Sequence, residues 1–356
     1  MAKNSAKKKS QPKKQRWADR PRVNRPFVGI PSFLRAPIVT DLDQLDHDIA
    51  YIGVPTDEGS PFLPGSRFGP RAIREHSLRL VVGNGYYNLD TGRHYLLPEM
   101  RDKMIADTGD CDILPTNVEK TFRNITDHVR KVIDMGAFPV AIGGDHAITY
   151  PVVRGFKEPL HIIHFDAHLD YAPFIHDLRF TNGHPFRNIR PMKHVQSLTQ
   201  VGIRSLRTTT TQLNDTKSDG NRVIGMEEFY KIGPKGVAKA VPKGAACYVS
   251  IDIDVFDISL CPGCVSAEPN GMMYKELRDT LRAIAEHTTV IGFDFVEVNP
   301  QLDVGTGVTS YLGMHTVVEF LGNICDQPYW VKRREANAAA RAERKAAMGA
   351  GTGGKR

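Results

Sequence analysis

Three short runs that combine aspartate with histidine or serine lie between residues 143 and 254. They read Gly143-Gly144-Asp145-His146, His164-Phe165-Asp166-Ala167-His168-Leu169-Asp170 and Ser250-Ile251-Asp252-Ile253-Asp254. Carboxylate oxygens and imidazole nitrogens together suit borderline divalent ions such as Mn, Ni, Co or Zn. Two such ions can share a carboxylate and a water, and the water becomes a hydroxide near neutral pH. The runs therefore predict a two-metal hydrolytic site.

The elements around these runs must bring them together. Apolar stretches predict strands at 49–53, 139–142, 160–165, 198–202, 222–225, 246–251 and 289–293. Amphipathic stretches predict helices at 118–135, 148–156, 226–230, 274–287 and 315–324. This alternation is typical of an α/β fold in which helices cover a mainly parallel sheet. Ligands bind outside the carboxyl ends of such strands, so strands distant in sequence can bring their terminal carboxylates to one point.

The second run alternates polar and apolar residues at a spacing of two. If the chain stays extended there, the three polar side chains of Asp166, His168 and Asp170 face one way. A solvent-facing edge strand would give the same alternation, so one run alone decides little. Acidic runs at three strand ends, however, would repel one another strongly unless cations lay between them.

The charge of the 356-residue chain is concentrated at its ends. Residues 1–25 carry a net charge of +9 and residues 331–356 carry +6, so the total of +7 leaves −8 for the residues between. We predict a basic disordered arm at 1–26, a catalytic domain at 27–330 and a solvated basic Ala/Arg/Gly-rich tail at 331–356, which can form a frayed helix followed by a disordered end. A nucleic-acid-binding domain carries its basic face on the folded body, so nucleic acid is not a predicted partner.

Composition also predicts the compartment. No apolar stretch reaches the ~18–20 residues that span a bilayer, so we expect no membrane partner. The basic arm contains no apolar h-region, so we do not interpret it as a secretory signal. The odd count of five cysteines favours a reducing, cytoplasmic location. Cys261 and Cys264 have the spacing of a redox or half-zinc motif, but no second pair accompanies them. We interpret them as two thiols of an ordinary loop.

The runs and two further blocks together resemble those of the arginase/agmatinase family, the ureohydrolases. The further blocks are Gly65-Ser66-Arg67-Phe68-Gly69-Pro70-Arg71-Ala72-Ile73-Arg74 and Phe293-Asp294-Phe295-Val296-Glu297-Val298-Asn299-Pro300. The similarity covers about residues 45–325 and is nearer to agmatinase-like enzymes than to arginases proper. It implies a single-domain, three-layer α/β fold with a central mainly parallel sheet. It also implies two divalent ions per subunit, Mn or Ni, and a trimer or hexamer.

Carried over position by position, the resemblance implies two sets of metal ligands. One ion would be held by His146, Asp166, Asp170 and Asp252. The other would be held by His168, Asp166, Asp252 and Asp254, so that Asp166 and Asp252 bridge. A hydroxide between the ions would attack the guanidinium carbon, and loss of an amine would leave urea. Asp170 would orient the hydroxide, and Glu297 would accept hydrogen bonds from the guanidinium.

The leaving amine needs a proton, which the family often supplies from a histidine in a His-Gly-Thr sequence after the second run. This chain reads Thr181-Asn182-Gly183-His184 there. Alignment through Gly183 puts the family's histidine at Asn182, and a shift of two puts it at His184. Imidazole chemistry favours His184 as the proton shuttle. Asn182 and Ser266 are predicted substrate contacts.

A second departure from the family follows Asp257. Agmatinase-like members usually read Pro-Gly-Thr-Gly-Thr-Pro-Glu, whereas this chain reads Pro262-Gly263-Cys264-Val265-Ser266-Ala267-Glu268. That loop lies near the substrate in the family, and no run resembles the arginase grip on an α-amino acid. We therefore expect a small or N-alkylated guanidine, a biguanide or an agmatine-like compound rather than arginine. Superfamily members that cleave guanidine or metformin are described as nickel-dependent, so the metal stays open between Mn and Ni.

Two alternative functions stay open. One is hydrolysis of a formimidoyl or other amidine C–N bond, as in formimidoylglutamase. The other is a non-catalytic partner subunit in a hetero-oligomer with a paralogous chain. The full set of six ligands argues against the second alternative.

Overall fold

The computed structural model describes residues 25–80 and 85–351, with side chains as far as residue 344. Eight parallel strands form its central sheet. In sheet order they are β4 (Ile105–Asp110), β1 (Ile49–Val54), β5 (Phe138–Gly143), β10 (Thr289–Val296), β9 (Ala246–Asp252), β6 (Leu160–Phe165), β7 (Val195–Ile203) and β8 (Arg222–Gly225). Strands β2 (Tyr86–Asn88) and β3 (Arg93–Tyr95) form a separate antiparallel hairpin.

Helices pack on both faces of this sheet. Those that contribute to one buried apolar cluster are α1 (Gly69–Ser77), α7 (Met226–Ala238), α8 (Tyr274–His287) and α9 (Val308–Cys325). Those that contribute to the second cluster are α3 (Val118–Asp134), α4 (Thr149–Val153) and α5 (Pro185–Ile189). The other α-helices in the described residues are α2 (Leu97–Arg101), α6 (Thr210–Ser218) and α10 (Pro328–Gly351), and α10 adds Trp330 to the first cluster. The predicted three-layer α/β fold is confirmed.

Helix α3 shows how residue spacing builds one of these layers. Its buried apolar residues recur every three or four positions: Phe122, Ile125, Val129 and Val132. Such a stripe faces the sheet, and each buried side chain contributes about 1.5–3 kcal/mol to folding. The Asn117 side chain accepts a hydrogen bond from the Lys120 backbone N–H at 3.1 Å and so caps the first turn. Gly136, with φ of 87°, follows the helix end.

The strands that carry the site are the four central neighbours β5, β10, β9 and β6. One row of paired residues crosses all four: Ile142, Phe295, Ile251 and Phe165. Because the strands are parallel, the chain leaves each of them at the same edge of the sheet. The acidic runs follow this row within a few residues, so the register alone brings them to one place.

Strand β4 and helix α1 are elements that the sequence pattern does not predict. Only Ile105 and Ala106 of the six residues of β4 are apolar. The polar residue Asp107 is buried, and its carboxylate accepts a hydrogen bond from Arg74 Nε at 2.8 Å. An ion pair with a residue of α1, distant in sequence, therefore allows a buried aspartate in this strand. The hydrophobic periodicity of the sequence cannot predict such a contact.

The C-terminal segment forms helix α10, and some of its side chains contact the domain instead of remaining solvated. Trp330 Nε1 donates to Glu99 Oε1 at 3.0 Å, and Arg341 Nη1 donates to Asp48 Oδ1 at 2.7 Å. Asp48 and Glu99 are both buried, so they require such donors. Arg341 therefore stabilises the fold by pairing with a buried carboxylate.

Some predictions fall on parts of the chain that the structure does not describe. The basic arm at 1–26 lies outside the described residues except for its last two positions, and the chain end beyond residue 351 lies outside them as well. Within the described ranges, no helix has the length and apolar character needed to cross a bilayer.

Candidate metal centre and active site

The first predicted ligand set converges around one imidazole nitrogen. His146 Nδ1 lies 3.0 Å from Asp166 Oδ2, 3.1 Å from Asp170 Oδ2 and 3.1 Å from Asp252 Oδ2. These side chains lie at or just after the ends of three different strands, β5, β6 and β9, and all are buried except Asp170, which is 13% exposed. One nitrogen and three carboxylate oxygens at this spacing can surround a divalent ion.

The second set forms around His168. Its Nδ1 lies 2.9 Å from Asp254 Oδ2 and 3.2 Å from Asp166 Oδ1. Asp166 thus presents one oxygen to each imidazole, which is the arrangement expected of a bridging ligand. Asp252 and Asp254 also have oxygens within 4.8 Å of each other. The structure brings all six predicted ligands into this cluster.

The backbone between the ligands is bent, not extended as the alternation suggests. Ala167 N–H donates to Asp254 Oδ1 at 2.9 Å, and Asp254 N–H donates to Asp252 Oδ1 at 2.9 Å. Asp170 has a positive φ of 45°. The carboxylates therefore accept hydrogen bonds from backbone N–H groups that would otherwise donate to a neighbouring strand. As a result, the loops fold around the cluster.

A hydrogen-bonded chain fixes the tautomer of His146. The Ser250 hydroxyl donates to Asp294 Oδ1 at 2.6 Å, so its oxygen accepts from His146 Nε2 at 2.9 Å. His146 Nδ1 faces the carboxylates and would present its lone pair to a bound ion. Burial opposes the charged imidazole, but hydrogen bonds to Asp166, Asp170 and Asp252 outweigh it and raise the pKa of His146 well above its usual value. Asp294 lies inside β10 and accepts the hydrogen bond from Ser250, so it supports the cluster without joining either ligand set. Its position in the sequence, after an apolar run, nevertheless resembles that of the ligands.

A second chain orients Asp166. Gln200 Nε2 donates to His164 Nδ1 at 3.1 Å, so His164 Nε2 carries the hydrogen and donates to Asp166 Oδ2 at 2.8 Å. The Thr216 hydroxyl donates to Gln200 Oε1 at 2.9 Å and holds the amide in this orientation. Burial lowers the pKa of His164 to about 4, which keeps it neutral. His164 was not a predicted site residue, although its spacing of two from Asp166 is a usable signal.

The cluster has an excess of negative charge that imidazoles alone compensate. Burial, together with the charges of Asp254 and Asp166, raises the pKa of Asp252 well above its usual value. Burial and the charge of Asp166 raise the pKa of Asp170 to about 6. Within the described chain, the basic side chains that contact these carboxylates are His146, His164 and His168, and His164 is neutral. Buried acids without lysine or arginine partners fit a pair of dications.

A cavity of about 170 Å³ opens beside the cluster. Its lining includes the acidic residues Asp170, Asp252 and Glu297, and also Phe62 and Arg207, whose side chains are exposed. The Glu297 carboxylate accepts hydrogen bonds from the His146 backbone N–H at 3.0 Å and from Asn182 Nδ2 at 3.2 Å. Burial raises the pKa of Glu297 to about 7. A carboxylate so placed can accept the N–H groups of a planar cation.

The structure separates the candidate residues of the loop after β6. Asn182 lines the cavity, as does Ser266 on the opposite loop. His184 is buried but is not part of the cavity lining. The Thr181 hydroxyl lies 2.6 Å from His184 Nδ1, and the Pro173 carbonyl oxygen lies 3.3 Å from its Nε2. Both ring nitrogens of His184 therefore have partners outside the cavity.

Two further residues join the site although the sequence did not indicate them. Cys264, which we interpreted as part of an ordinary loop, is buried with its sulfur within 4.8 Å of Asp252 and Asp254 oxygens. Glu268 Oε1 lies 3.5 Å from His168 Nε2 and accepts from the Ser205 hydroxyl at 2.6 Å. In the sequence, the only indication that these residues belong to the site was that their loop departs from the family pattern.

Comparison with known proteins shows which family, proteins and solved structures this chain is similar to. The chain matches the model of the arginase family over residues 47–322. It is 33% identical to the human protein named guanidino acid hydrolase, mitochondrial, over 84% of each chain. It is 33% identical to guanidinopropionase of Pseudomonas aeruginosa, over 83% of this chain and 92% of that protein. The structure of proclavaminate amidino hydrolase from Streptomyces clavuligerus matches with a TM-score of 0.73 and 30% identity, and covers 84% of this chain and 98% of that one.

Proposed function

We propose, since this chain belongs to the arginase family, that it hydrolyses a guanidine C–N bond and releases urea and an amine. Its relatives include proteins named guanidino acid hydrolase, guanidinopropionase and agmatinase, and each of these names denotes an enzyme that acts on a guanidino compound. The observation that carries the proposal is the convergence of His146, His168 and four aspartates beside a cavity that also holds Glu297.

The ligand sets would hold two divalent ions, Mn or Ni. One set is His146, Asp166, Asp170 and Asp252, and the other is His168, Asp166, Asp252 and Asp254. When bound, the ions supply the nucleophile by lowering the pKa of a shared water toward neutrality. The fit rests on the donor chemistry, since buried oxygens and imidazoles without basic partners suit such cations.

Glu297 would bind the guanidinium of the substrate. Its carboxylate is already positioned by the His146 N–H and by Asn182, so the binding geometry exists before the substrate arrives. A cation at this place favours the ionised carboxylate and lowers its pKa from about 7. Asp170 would accept a hydrogen bond from the nucleophile and orient it. We expect an alkylated or otherwise small guanidine to fit the cavity of about 170 Å³.

Proton delivery to the leaving amine is the proposed task of His184. Because its ring nitrogens contact Thr181 and Pro173, the loop must rearrange for the imidazole to reach the cavity. We expect His184→Ala to lower kcat by about 10²-fold, the lower range of general acid catalysis, while metal content stays unchanged. Urea release and elemental analysis measure the two quantities. Wild-type turnover in His184→Ala would remove His184 from the mechanism.

The activity is tested by urea release from guanidine, agmatine, guanidinobutyrate, arginine and metformin, with Mn and Ni added in turn. We expect urea from at least one compact or N-alkylated guanidine and none from arginine. Ammonia or formamide without urea from an amidine substrate would support the formimidoyl alternative. Fewer than about two ions per chain, with no urea from any compound, would support a non-catalytic partner subunit.

The resemblance also supports a homo-oligomeric trimer or hexamer, with a hetero-oligomer as the alternative. We further propose a cytoplasmic location, which is consistent with five cysteines that are all free thiols. Mass measurement of the purified protein, alone and with co-expressed paralogues, tests the assembly.

A further inference from the structure

Arg204 lies directly after β7, and its side chain extends to the long segment that follows β9. Arg204 Nη2 donates to the carbonyl oxygens of Asp254 at 2.8 Å and of Phe256 at 3.0 Å. The same nitrogen donates to the Glu268 carbonyl oxygen at 2.9 Å, and Nε donates to that of Pro269 at 2.9 Å. Because β6 lies between β7 and β9 in the sheet, this one guanidinium joins loops that follow two strands that are not neighbours.

The backbone of the same residue contacts the loop that follows β6. The Arg204 N–H donates to the Ala167 carbonyl oxygen at 3.0 Å, and the Ser205 N–H donates to the same oxygen at 3.1 Å. Ala167 directly precedes His168, and its own N–H donates to Asp254 Oδ1 at 2.9 Å. Arg204 therefore contacts both of the segments that supply His168 and Asp254, one through its backbone and the other through its side chain.

The surroundings of the Arg204 side chain suit a guanidinium in particular. Within the described chain, each acceptor of its hydrogen bonds is a backbone carbonyl oxygen. Carbonyl groups in a loop have no strand partner, so they need donors from elsewhere, and the planar fork of arginine can serve several of them at fixed angles. Gly271 leaves room for this approach, because a Cβ atom there would lie 2.5 Å from Arg204 Nη2. The residues that line the cavity in the described chain do not include Arg204, so it supports the site from behind the ligands.

The contacts of Arg204 fall on one of the two proposed ligand sets. His168 and Asp254 belong only to the set around His168, and His168 Nδ1 lies 2.9 Å from Asp254 Oδ2. His146 and Asp170 belong only to the set around His146. In the part of the chain that the structure describes, no hydrogen bond of Arg204 reaches either of these two residues. The two ligand sets therefore differ in how much they depend on Arg204.

We propose that Arg204 is a positioning residue for the ligand set around His168, so that one of the two ions depends on it and the other does not. The inference rests on the proposed function, which requires two ions. Loss of the guanidinium would leave the loop carbonyl groups without their donors, and Asp254 would no longer be held beside His168. The set around His146 would keep its own contacts. A chain without this guanidinium would therefore bind one ion tightly and the other weakly.

The test is a metal titration of Arg204→Met, which keeps a long apolar stem and removes every donor of the guanidinium. We expect the affinity for one ion to fall by about 10- to 100-fold, as loss of an outer hydrogen-bond partner does, and the affinity for the other to stay unchanged. Electron paramagnetic resonance of the Mn-loaded protein gives a second readout. The wild type should show two coupled ions, and the variant should show an isolated ion at the same free Mn concentration. Arg204→Lys should show a smaller loss at the same ion, because lysine keeps the charge but lacks the planar fork.

Arg35→Met is the matched control, because the Arg35 guanidinium also donates to backbone carbonyl oxygens, those of Val28 and Arg25, each at 2.7 Å. Neither of these segments carries a proposed ligand. This control should bind two ions with wild-type affinity, even where its thermal midpoint falls. Equal weakening of both ions in Arg204→Met, or a titration like that of the wild type, would overturn the inference, and Arg204→Lys decides by the same criterion if Arg204→Met does not fold. A wild-type chain that binds fewer than about two ions would instead count against the proposed function.

Discussion

Asp252→Asn is expected to abolish urea release and metal binding together. Asp252 Oδ2 lies 3.1 Å from His146 Nδ1, and its Oδ1 holds the Asp254 backbone N–H at 2.9 Å. Asparagine keeps the shape but removes the charge of a carboxylate that the two proposed ligand sets share. Because loss of an outer hydrogen-bond partner alone costs roughly 10–100-fold, we expect loss of this ligand to cost more and to leave no measurable activity. Urea assays and elemental analysis of the purified variant measure both effects.

The control for this variant is Asp134→Asn, which removes the same charge from an exposed ion pair with Lys157. It should keep wild-type activity and metal content. The assignment of the centre fails if Asp252→Asn retains two ions and normal turnover. Loss of activity with full metal content would instead place Asp252 in substrate orientation alone.

Removal of the divalent ions by a chelator should lower the thermal midpoint markedly. The buried acids then keep their mutual repulsion, which bound ions would neutralise. Linkage gives about 4 kcal/mol of stabilisation when free ion exceeds its Kd roughly 1,000-fold. For a chain of this size that corresponds to a shift on the order of 5–10 °C. Thermal unfolding of the stripped and reloaded protein, with Mn, Ni or Mg added back, provides the measurement.

The stabilisation by metal should grow as the pH rises. Burial and Asp166 raise the pKa of Asp170 from 3.8 to about 6. In the metal-free protein this group therefore contributes stability below about pH 4, and the contribution is lost as the pH rises through about 6. Burial opposes the charged form of His168, but Asp254 and Asp166 outweigh it and raise the His168 pKa to about 12. Both groups must lose a proton to bind metal.

Metal affinity is therefore expected to be at least tenfold weaker at about pH 5 than at about pH 8. The difference in thermal midpoint between loaded and stripped protein should widen over the same interval. Titration calorimetry in two buffers with different ionisation enthalpies would also count the protons released. A midpoint difference that stays constant across this interval would show that these groups do not bind the ions.

Much of the sheet was predictable because its strands are buried on both faces. The predicted strands at 160–165 and 222–225 match β6 and β8 in full, and the others differ by one to three residues at their ends. Continuous apolar runs are a local property that needs no partner to be identified. Strand β4 was missed for the opposite reason, since its polar residue Asp107 belongs there only because Arg74 reaches it.

The loop residues show where local information stops. The alternation in the second run predicted that its polar side chains converge, yet the segment is bent at Asp170 and they converge by another route. Gly183 allowed two alignments, and only packing against Thr181 and Pro173 shows which way His184 faces. Arg207 and Cys264 gave no pattern that relates them to the cluster. Their positions depend on contacts between loops that follow different strands.

The sequence by itself determined the chemistry of this protein: which donor atoms are present, and that each acidic run follows a buried strand. Residue type and hydrophobic periodicity are local, so they survive without knowledge of the fold. The tertiary structure alone decided that β10 lies between β5 and β9, which sets Glu297 beside the His146 backbone. Strand order and loop packing arise from contacts between residues far apart in the chain, and no local pattern encodes the geometry that follows.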